Sequence, residues 1–288
     1  DYWFPPQQKQ KLGVILTRIN NVSDEDIRNF FLVAFSQILK SCSIWLQRSV
    51  KPVRDFNKVL VEPIDAFKKQ VRGMLKRNAE FFKLVGHERV EHLDYWRIVA
   101  CRDARSLPLE SNSTTLIATS PPYVTSYEYA DLYQLTALWL NYCASVAEFR
   151  RGFIGSAHSQ RETIDLGSET ANAICRQLGN GQKGREVRNY FADMFECFQE
   201  MWRVLKPTGK ACIVIGNTEL QGVKILNAEV FVEQMQSIGF HAHRIIKREI
   251  PSKMLPQTRD AQSGRFASVS NGNNVHAYPT EYILIMEK

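Results

Sequence analysis

The segment 119–123, with the sequence Thr-Ser-Pro-Pro-Tyr, constrains this 288-residue chain more than any other segment. It follows a short apolar run, residues 116–118, so it is predicted to lie where a β-strand ends and a loop begins. Two consecutive prolines have no backbone N–H to donate, which leaves carbonyl oxygens free to face a ligand. A hydroxyl precedes these carbonyls and an aromatic ring follows them. Such a corner suits a flat base whose exocyclic amine donates to the oxygens while the ring stacks on the base.

Ser-Pro-Pro-Tyr after a strand resembles the catalytic motif of DNA amino-methyltransferases, which methylate the N4 amine of cytosine or the N6 amine of adenine. A serine in the first position is similar to the N4-cytosine branch, since the adenine branch more often begins with Asp or Asn. The resemblance implies that Ser120, Pro121, Pro122 and Tyr123 form the catalytic corner. It also implies S-adenosylmethionine as the cofactor, in contact with Ser120, and double-stranded DNA as the substrate.

The resemblance implies a role for each group of this corner. Tyr123 would stack on a base that has flipped out of the duplex, since the amine cannot be reached in the stack. The Ser120 hydroxyl and the Pro121 carbonyl would accept hydrogen bonds from the amine and turn the nitrogen lone pair toward the cofactor's methyl group. The transfer would be a direct in-line displacement that depends mainly on positioning. No cysteine nucleophile is expected.

Asp103 is a second candidate site residue. The run 97–103 is predicted to be a strand that ends in this carboxylate and leads into a turn. A carboxylate at the C-terminal end of a strand can accept a hydrogen bond from an adenine amino group. The resemblance gives Asp103 this role toward the adenine of S-adenosylmethionine. An aspartate that merely caps a turn is the common structural alternative.

Later segments extend the resemblance to about residues 90–288. Residues 190–205 have helical spacing, Pro207 and Gly209 end that helix, and residues 211–216 are predicted to be a buried strand. This unit resembles the fifth strand unit of S-adenosylmethionine-dependent methyltransferases. The apolar runs within 239–250 and 281–286 resemble the last two strands, which pair antiparallel in that fold. The predicted fold class is therefore α/β, with a Rossmann-like class I methyltransferase sheet behind an N-terminal helical region.

One departure from the family concerns the cofactor site. The family has a glycine-rich loop after its first strand, typically Phe-x-Gly-x-Gly, and an acidic residue that ends its second strand. The glycines before Asp103 are Gly13, Gly73 and Gly86, and none stands in a Gly-x-Gly sequence after a strand. The sequence therefore offers no backbone site for the methionine carboxylate, and the sheet would be incomplete. The missing part is on the order of 30 residues, one βαβ unit, and a second polypeptide could supply it.

The chain is predicted to have two regions. Residues 1–90 are predicted to form a helical region, with a helix start at 23–26 and a long basic helix from Pro63 to about Leu84. Residues 91–288 would form the catalytic region, with a helix over 124–142. Long polar loops are predicted at 150–188 and 251–279, and both would close over DNA. The basic helix can contact phosphates, although a solvated helix face is the simpler interpretation.

Composition sets limits on the class of protein. Apolar residues make up 44% and charged residues 23%, as in ordinary globular domains, and no apolar run is long enough to span a membrane. The N-terminus has no signal-peptide pattern. The six cysteines form no Cys-x-x-Cys pair, which favours neither a metal site nor a disulfide framework and predicts a cytoplasmic protein. A net charge of +7 favours polyanionic partners such as DNA.

Two alternatives to a DNA methyltransferase remain at this point. One is a non-catalytic or subunit-dependent DNA-binding homologue, which the missing glycine-rich loop favours. The other is a methyltransferase acting on a protein amide or amine, where an Asn-Pro-Pro-Tyr corner is usual. The serine at position 120 and the basic charge count against the second alternative. An N6-adenine specificity also stays open.

Overall fold

The computed structural model describes residues 2–49, 51–92, 99–124, 129–156, 165–250, 258–260, 274–276 and 280–288. The chain divides into two compact units, Asp1–Ala100 with Tyr129–Phe149 and Cys101–Glu128 with Arg150–Lys288. Residues 129–149 therefore pack within the first unit, although they follow the Ser-Pro-Pro-Tyr corner in sequence. The functional division at residue 90 stays a prediction.

The first unit is helical. Its elements are α1 (Pro6–Asn20), α2 (Glu25–Ile38), α3 (Pro63–Val85), α4 (His87–Glu91), α5 (Tyr129–Trp139) and the start of α6 (Val146–Arg151). The Asp24 carboxylate accepts a hydrogen bond from the Ile27 N–H at 2.9 Å and caps α2, which confirms the helix start predicted at 23–26. Pro6 and Pro63 occupy first helical positions, where the missing N–H costs nothing.

The core of the first unit is formed by apolar side chains at helical spacing. Leu12, Ile15 and Ile19 of α1 are buried against Phe35 and Ile38 of α2. Burying each of these side chains contributes about 1.5–3 kcal/mol relative to exposing it. Helix α3 contributes less, since Pro63 is its only fully buried residue and its basic side chains are exposed.

The second unit contains the sheet. Its strands are β1 (Thr114–Thr119), β2 (Leu205–Ile215), β3 (Thr218–Leu220), β4 (Val223–Ile225), β5 (His241–Glu249), β6 (Thr258–Asp260), β7 (Asn274–His276) and β8 (Thr280–Glu287). Its helices after α6 are α7 (Glu169–Leu178), α8 (Gln182–Val204) and α9 (Asn227–Ile238). Four strands form the main sheet in the order β1-β2-β8-β5, and β3-β4 and β6-β7 are separate two-stranded pairs.

The main sheet is mixed. β1 and β2 are parallel, whereas β8 lies antiparallel to both β2 and β5. The predicted antiparallel pairing of the last two strands is thus confirmed. Helices α8 and α9 pack against this sheet, α7 packs against both helices, and Phe198 and Phe231 share a core with Ile213 and Leu284. The α/β fold class is confirmed.

A bulge at the start of β2 differs from the predicted turn. Helix α8 ends at Val204 as expected, but Leu205 already pairs with Thr114 in the sheet. The register then shifts, and Lys210 pairs with Leu116. Thr208 adopts a positive φ of 67° within this bulge. Pro207 and Gly209 thus lie at a β-bulge within β2, and not in a turn between the helix and the strand.

Two other predictions about secondary structure are wrong within the described residues. Residues 99–103 are not a strand, and residues 97–98 lie outside the described residues. The predicted loop at 150–188 contains helix α7 and the start of α8. The Ser168 hydroxyl caps α7 by accepting from the Ala171 N–H at 3.0 Å, and Ala171, Ile174 and Cys175 face the core.

Several parts of the predicted loops lie outside the described residues, namely 157–164, 251–257, 261–273 and 277–279. Residues 125–128 also lie outside the described residues. They belong to the helix predicted over 124–142, and the structure describes a helix, α5, within that range. Among the helices that the structure describes, none combines the length and apolar character needed to cross a membrane.

Candidate active site

The Ser-Pro-Pro-Tyr corner lies directly after β1, at its carboxyl end. Ser120 is exposed, Pro121 is buried, and Pro122 and Tyr123 are half-buried. Val124 follows with only 3% of its surface exposed and packs into the main core of the second unit. Because β1 and β2 are parallel, their carboxyl ends meet at the same edge of the sheet, which is where α/β folds place ligands. The corner is therefore fixed at both ends and open at Ser120.

The ring of Tyr123 lies beside Gly216, the first residue after β2. A Cβ atom built on Gly216 would be 3.9 Å from both Cε2 and Oη of Tyr123 and 3.6 Å from the Thr280 carbonyl oxygen. These are ordinary van der Waals distances, so the glycine leaves room for one methyl group and little more. The end of β2 thus forms one wall of the space that Tyr123 occupies.

Two asparagines hold this end of β2 in place. The buried Asn227 donates from Nδ2 to the Gly216 carbonyl at 2.9 Å. Asn217 accepts from the Ala228 N–H at 2.9 Å and donates from Nδ2 to Glu229 Oε2 at 2.8 Å. The start of α9 is therefore tied to the strand end that faces Tyr123. Our sequence reasoning missed these residues, although a Gly-Asn pair directly after a buried strand is a usable signal.

Asp103 lies on the segment before β1, where its carboxylate is bound by Arg105. Oδ1 accepts from the Arg105 N–H at 2.9 Å, which closes a turn, and Oδ2 accepts from Arg105 Nη2 at 2.7 Å. This is the turn-capping arrangement that stood as the alternative to adenine binding. The Asp103 side chain is 48% exposed. The described contacts do not join Asp103 to the Ser-Pro-Pro-Tyr corner.

Arg105 connects Asp103 to a buried carboxylate on α8. Its Nη1 donates to Asp193 Oδ1 at 2.9 Å, and Asp193 Oδ2 accepts from the Gly155 N–H at 2.7 Å. The hydrogen bonds that Arg105 donates to Asp103, together with the charge and hydrogen bond of Asp193, raise the pKa of the Arg105 guanidinium above its ordinary value. Asp193 is 1% exposed, and an unpaired carboxylate there would be costly. No sequence pattern indicated this pair, because its members are 88 residues apart.

Further along α8, Glu200 and Arg203 hold the segment that leads into β1. The Glu200 carboxylate accepts from the Leu107 N–H at 2.6 Å, while Arg203 donates to the Leu107 and Leu109 carbonyls. Arg203 also donates to Glu200, and this hydrogen bond lowers the pKa of the Glu200 carboxyl group. Ser113, the residue before β1, donates its N–H to the Val204 carbonyl at 2.9 Å. Helix α8 thereby sets where β1 begins.

The residues that could hold a cofactor form an incomplete set. Ser120 and Asp103 stay predicted contacts, and the sequence has no Gly-x-Gly loop between a strand and a helix. Within the described part of the chain, no group of three or more His, Cys, Asp or Glu side chains is arranged to bind a metal ion. All six cysteines are free thiols.

Comparison with known proteins supports the resemblance carried by the Ser-Pro-Pro-Tyr corner. No protein-family model matches the chain. The whole chain is similar to the type II methyltransferase M.MvaI of Kocuria varians, with 21% identity over 315 residues. The chain is thus similar to a DNA methyltransferase along its whole length. It spans 66% of the length of M.MvaI, so a third of that protein has no counterpart in it.

Solved structures with similarity to this chain include TTHA0409 from Thermus thermophilus, a candidate DNA modification methylase. One structure of TTHA0409 matches with 16% identity and a TM-score of 0.34, over 65% of this chain and 52% of that one. A second, complexed with S-adenosyl-L-methionine, matches with 16% identity and a TM-score of 0.33, over 65% and 53% of the two chains.

Proposed function

We propose that this chain is the catalytic region of a DNA methyltransferase that transfers a methyl group from S-adenosylmethionine to the exocyclic amine of a flipped base, cytosine N4 by preference. The observation that carries the proposal is the position of the Ser-Pro-Pro-Tyr corner at the carboxyl end of β1, beside Gly216 at the end of β2. Ser120 is exposed there, and Tyr123 is held against the strand end. The similarity to M.MvaI supports the same conclusion.

In this proposal the corner acts by orienting the amine of the base. The Ser120 hydroxyl and the Pro121 carbonyl accept its two N–H bonds, so the nitrogen lone pair leaves conjugation with the ring. Pro121 and Pro122 have no N–H to compete for these acceptors. Tyr123 stacks on the base, and Gly216 keeps the space beside its ring open. The contribution of the protein is positioning, which can lower a barrier by several kcal/mol, roughly 7–11 in the best intramolecular cases.

S-adenosylmethionine, when bound, would supply the methyl group. Asp103 would bind the adenine amino group in addition to its hydrogen bonds from Arg105. The methionine end of S-adenosylmethionine would be bound by the glycine-rich loop that this sequence lacks. We assign that loop to polypeptide outside these 288 residues, of the same protein or of a second subunit.

Double-stranded DNA is the proposed substrate, and α3 offers a surface for it. Lys68, Lys69, Arg72, Lys76 and Arg77 are all exposed on this helix. Asp65 and Glu80 are the acidic residues of α3, and Glu80 lies 3.9 Å from Lys76. Phosphate contacts of this kind supply affinity that does not depend on sequence. The cytoplasmic location predicted from the cysteines is part of the same proposal.

Methyl transfer to DNA tests the proposal directly. The chain is incubated with S-adenosylmethionine and PCR-amplified DNA, which carries no methylation, and the digested nucleosides are analysed by mass spectrometry. N4-methylcytosine is the expected product, and N6-methyladenine would reassign the base. Ser120→Ala and Tyr123→Ala should each reduce the product at least a hundredfold, while Ser113→Ala, a control just before β1, should leave it nearly unchanged. Wild-type turnover by both corner variants would contradict the proposal.

A non-catalytic or subunit-dependent homologue is the second candidate, and it is favoured by the missing glycine-rich loop and the binding of Asp103 to Arg105. Calorimetry of S-adenosylmethionine binding to the chain separates the two candidates. Binding at micromolar affinity would mean that the chain holds a complete cofactor site. Without binding, the chain needs a complementing polypeptide.

A further inference from the structure

Arg54, in the first unit, makes cation–π contacts with two exposed aromatic rings. Its guanidinium carbon lies 4.2 Å from the centroid of the Tyr2 ring and 5.2 Å from that of the Phe56 ring. Tyr2 is 60% exposed and Phe56 is 73% exposed. Isolated exposed apolar residues are common on protein surfaces, but two rings gathered around one cation form a defined structure.

The backbone around Arg54 is fixed to the core. Arg54 pairs with the buried Trp45 in an isolated antiparallel bridge, and the Leu46 N–H donates to the Val53 carbonyl at 2.8 Å. Trp45 stacks on Trp3 with 5.0 Å between ring centroids. The Trp3 carbonyl in turn accepts from the Ile44 N–H at 2.9 Å. Arg54 therefore pairs with Trp45, and Tyr2 precedes Trp3, which stacks on Trp45.

The other cations of this segment that contact the same core are engaged by main-chain carbonyls. Lys58 donates to the Lys40 and Trp45 carbonyls at 2.7 Å, and Lys40 donates to the Ser49 carbonyl at 2.9 Å. Burial lowers the pKa of both amines, in keeping with a structural role. The Arg54 guanidinium has no hydrogen-bond or carboxylate partner among the residues that the structure describes. Even the neighbouring Asp55 directs Oδ1 to the Asn57 N–H, at 3.0 Å.

Cation–π contact with aromatic rings leaves the N–H groups of a guanidinium able to donate hydrogen bonds. The planar fork of an arginine matches the oxygens of a phosphate, and holding it by two rings removes part of the entropy lost on binding. Arg48 and Lys51, on the same segment, are also exposed and add positive charge. Exposed aromatic rings beside arginine and lysine are the combination with which proteins contact nucleic acid.

From this geometry we propose that Arg54 is a preorganised phosphate contact for duplex DNA, with Tyr2 and Phe56 as its positioning residues. The inference rests on the proposed function, since it takes DNA as the substrate, and it assigns part of the DNA-binding surface to residues distant in sequence from the catalytic corner. A partner without phosphates, such as a protein surface, is the alternative, and it would not explain salt-dependent binding to DNA.

The experiment measures binding of a fluorescein-labelled 30-base-pair duplex by anisotropy at several salt concentrations. Arg54→Ala should weaken binding roughly tenfold, the loss expected for a charge-assisted hydrogen bond. It should also reduce the slope of log K against log salt by about 0.9, the value for one phosphate contact. Arg54→Lys and Phe56→Leu keep the charge, so they should weaken binding severalfold with the slope retained. Arg18→Ala, at an exposed position of α1, removes the same charge and should change neither the affinity for DNA nor the salt slope.

The outcomes separate this inference from the proposed function. If wild-type protein binds the duplex and Arg54→Ala behaves like Arg18→Ala, the inference is wrong and the proposed function stands. If the wild-type protein shows no salt-dependent binding to DNA, both are wrong, and a protein partner for the Arg54 surface becomes the better explanation. Thermal unfolding of each variant, with an unchanged midpoint, excludes misfolding as the cause of a loss.

Discussion

The ring of Tyr123 lies beside Gly216, at the carboxyl ends of two parallel strands. Gly216 has no side chain, and a Cβ atom built there would lie 3.9 Å from the ring. The end of β2 therefore borders the space that the proposed stacking residue occupies.

This contact predicts a graded response to substitution at position 216. Gly216→Ala places a methyl group at ordinary contact distance and should keep DNA methylation within about threefold of wild type. Gly216→Leu requires the Tyr123 ring to move, and a misplacement of about 1 Å can cost on the order of a hundredfold in rate. Methylation assays on both variants provide the measurement. Equal activity of the two variants would mean that the ring position does not matter.

Lys288 predicts a stability effect far from the corner. Its ammonium group donates to the Trp202 and Leu205 carbonyls at 2.6 and 2.8 Å and so binds the C-terminal end of α8. Lys288→Met should lower the free energy of unfolding by about 1–3 kcal/mol, because these carbonyls lose a charged donor. Lys206→Met, at an exposed position in the β2 bulge, is the matched control and should cost less than about 0.5 kcal/mol. Urea denaturation gives both values.

Glu200 predicts a dependence of stability on pH. The hydrogen bond from Arg203 lowers the pKa of the folded carboxyl group, so its stabilising contribution is present above the unfolded pKa, about 4.3. That contribution is lost as the pH falls through the lower folded value. Glu200→Gln should therefore be less stable than wild type at pH 7, and the difference should shrink below about pH 4. A constant difference from pH 7 to pH 3 would refute the charge-based explanation.

The cysteines are expected to react in a defined order. Burial raises the pKa of the Cys197 thiol to about 12, so its thiolate is scarce at neutral pH. Cys42 is also buried, and its pKa is raised to about 11. Cys101 is exposed. Iodoacetamide at pH 8 followed by peptide mass spectrometry should label Cys101 first, and Cys197 only after unfolding. Early labelling of Cys197 would mean that α8 opens in the native state.

The sequence predicted the local features of the site well. Ser120 to Tyr123 form a corner after a strand because an apolar run followed by two prolines has few other conformations. The last two strands and the helix start at Asp24 could be predicted from the sequence for similar reasons. Each of these features depends on residues that are close together in the chain.

The missed features depend on tertiary contacts. The segment before β1 was predicted to be a strand, but Glu200 and Arg203 satisfy its backbone groups from α8. Helix α7 lies where the sequence predicts a loop, because its polar residues obscure the apolar positions 171, 174 and 175. The contact between Tyr123 and Gly216 joins residues more than 90 positions apart, and no local pattern encodes such a distance.

The hydrogen bond from Ser113 to the carbonyl of Val204 has a consequence for how the protein is made. The strand that ends in the corner takes its starting point from a helix synthesised some 90 residues later. A nascent chain that has emerged only to residue 150 carries the Ser-Pro-Pro-Tyr sequence, but it lacks strand β2 beside β1 and the Val204 carbonyl that binds Ser113. Contacts of such long range form late, because the intervening loop must close first. The site is therefore expected to mature only after α8 has left the ribosome.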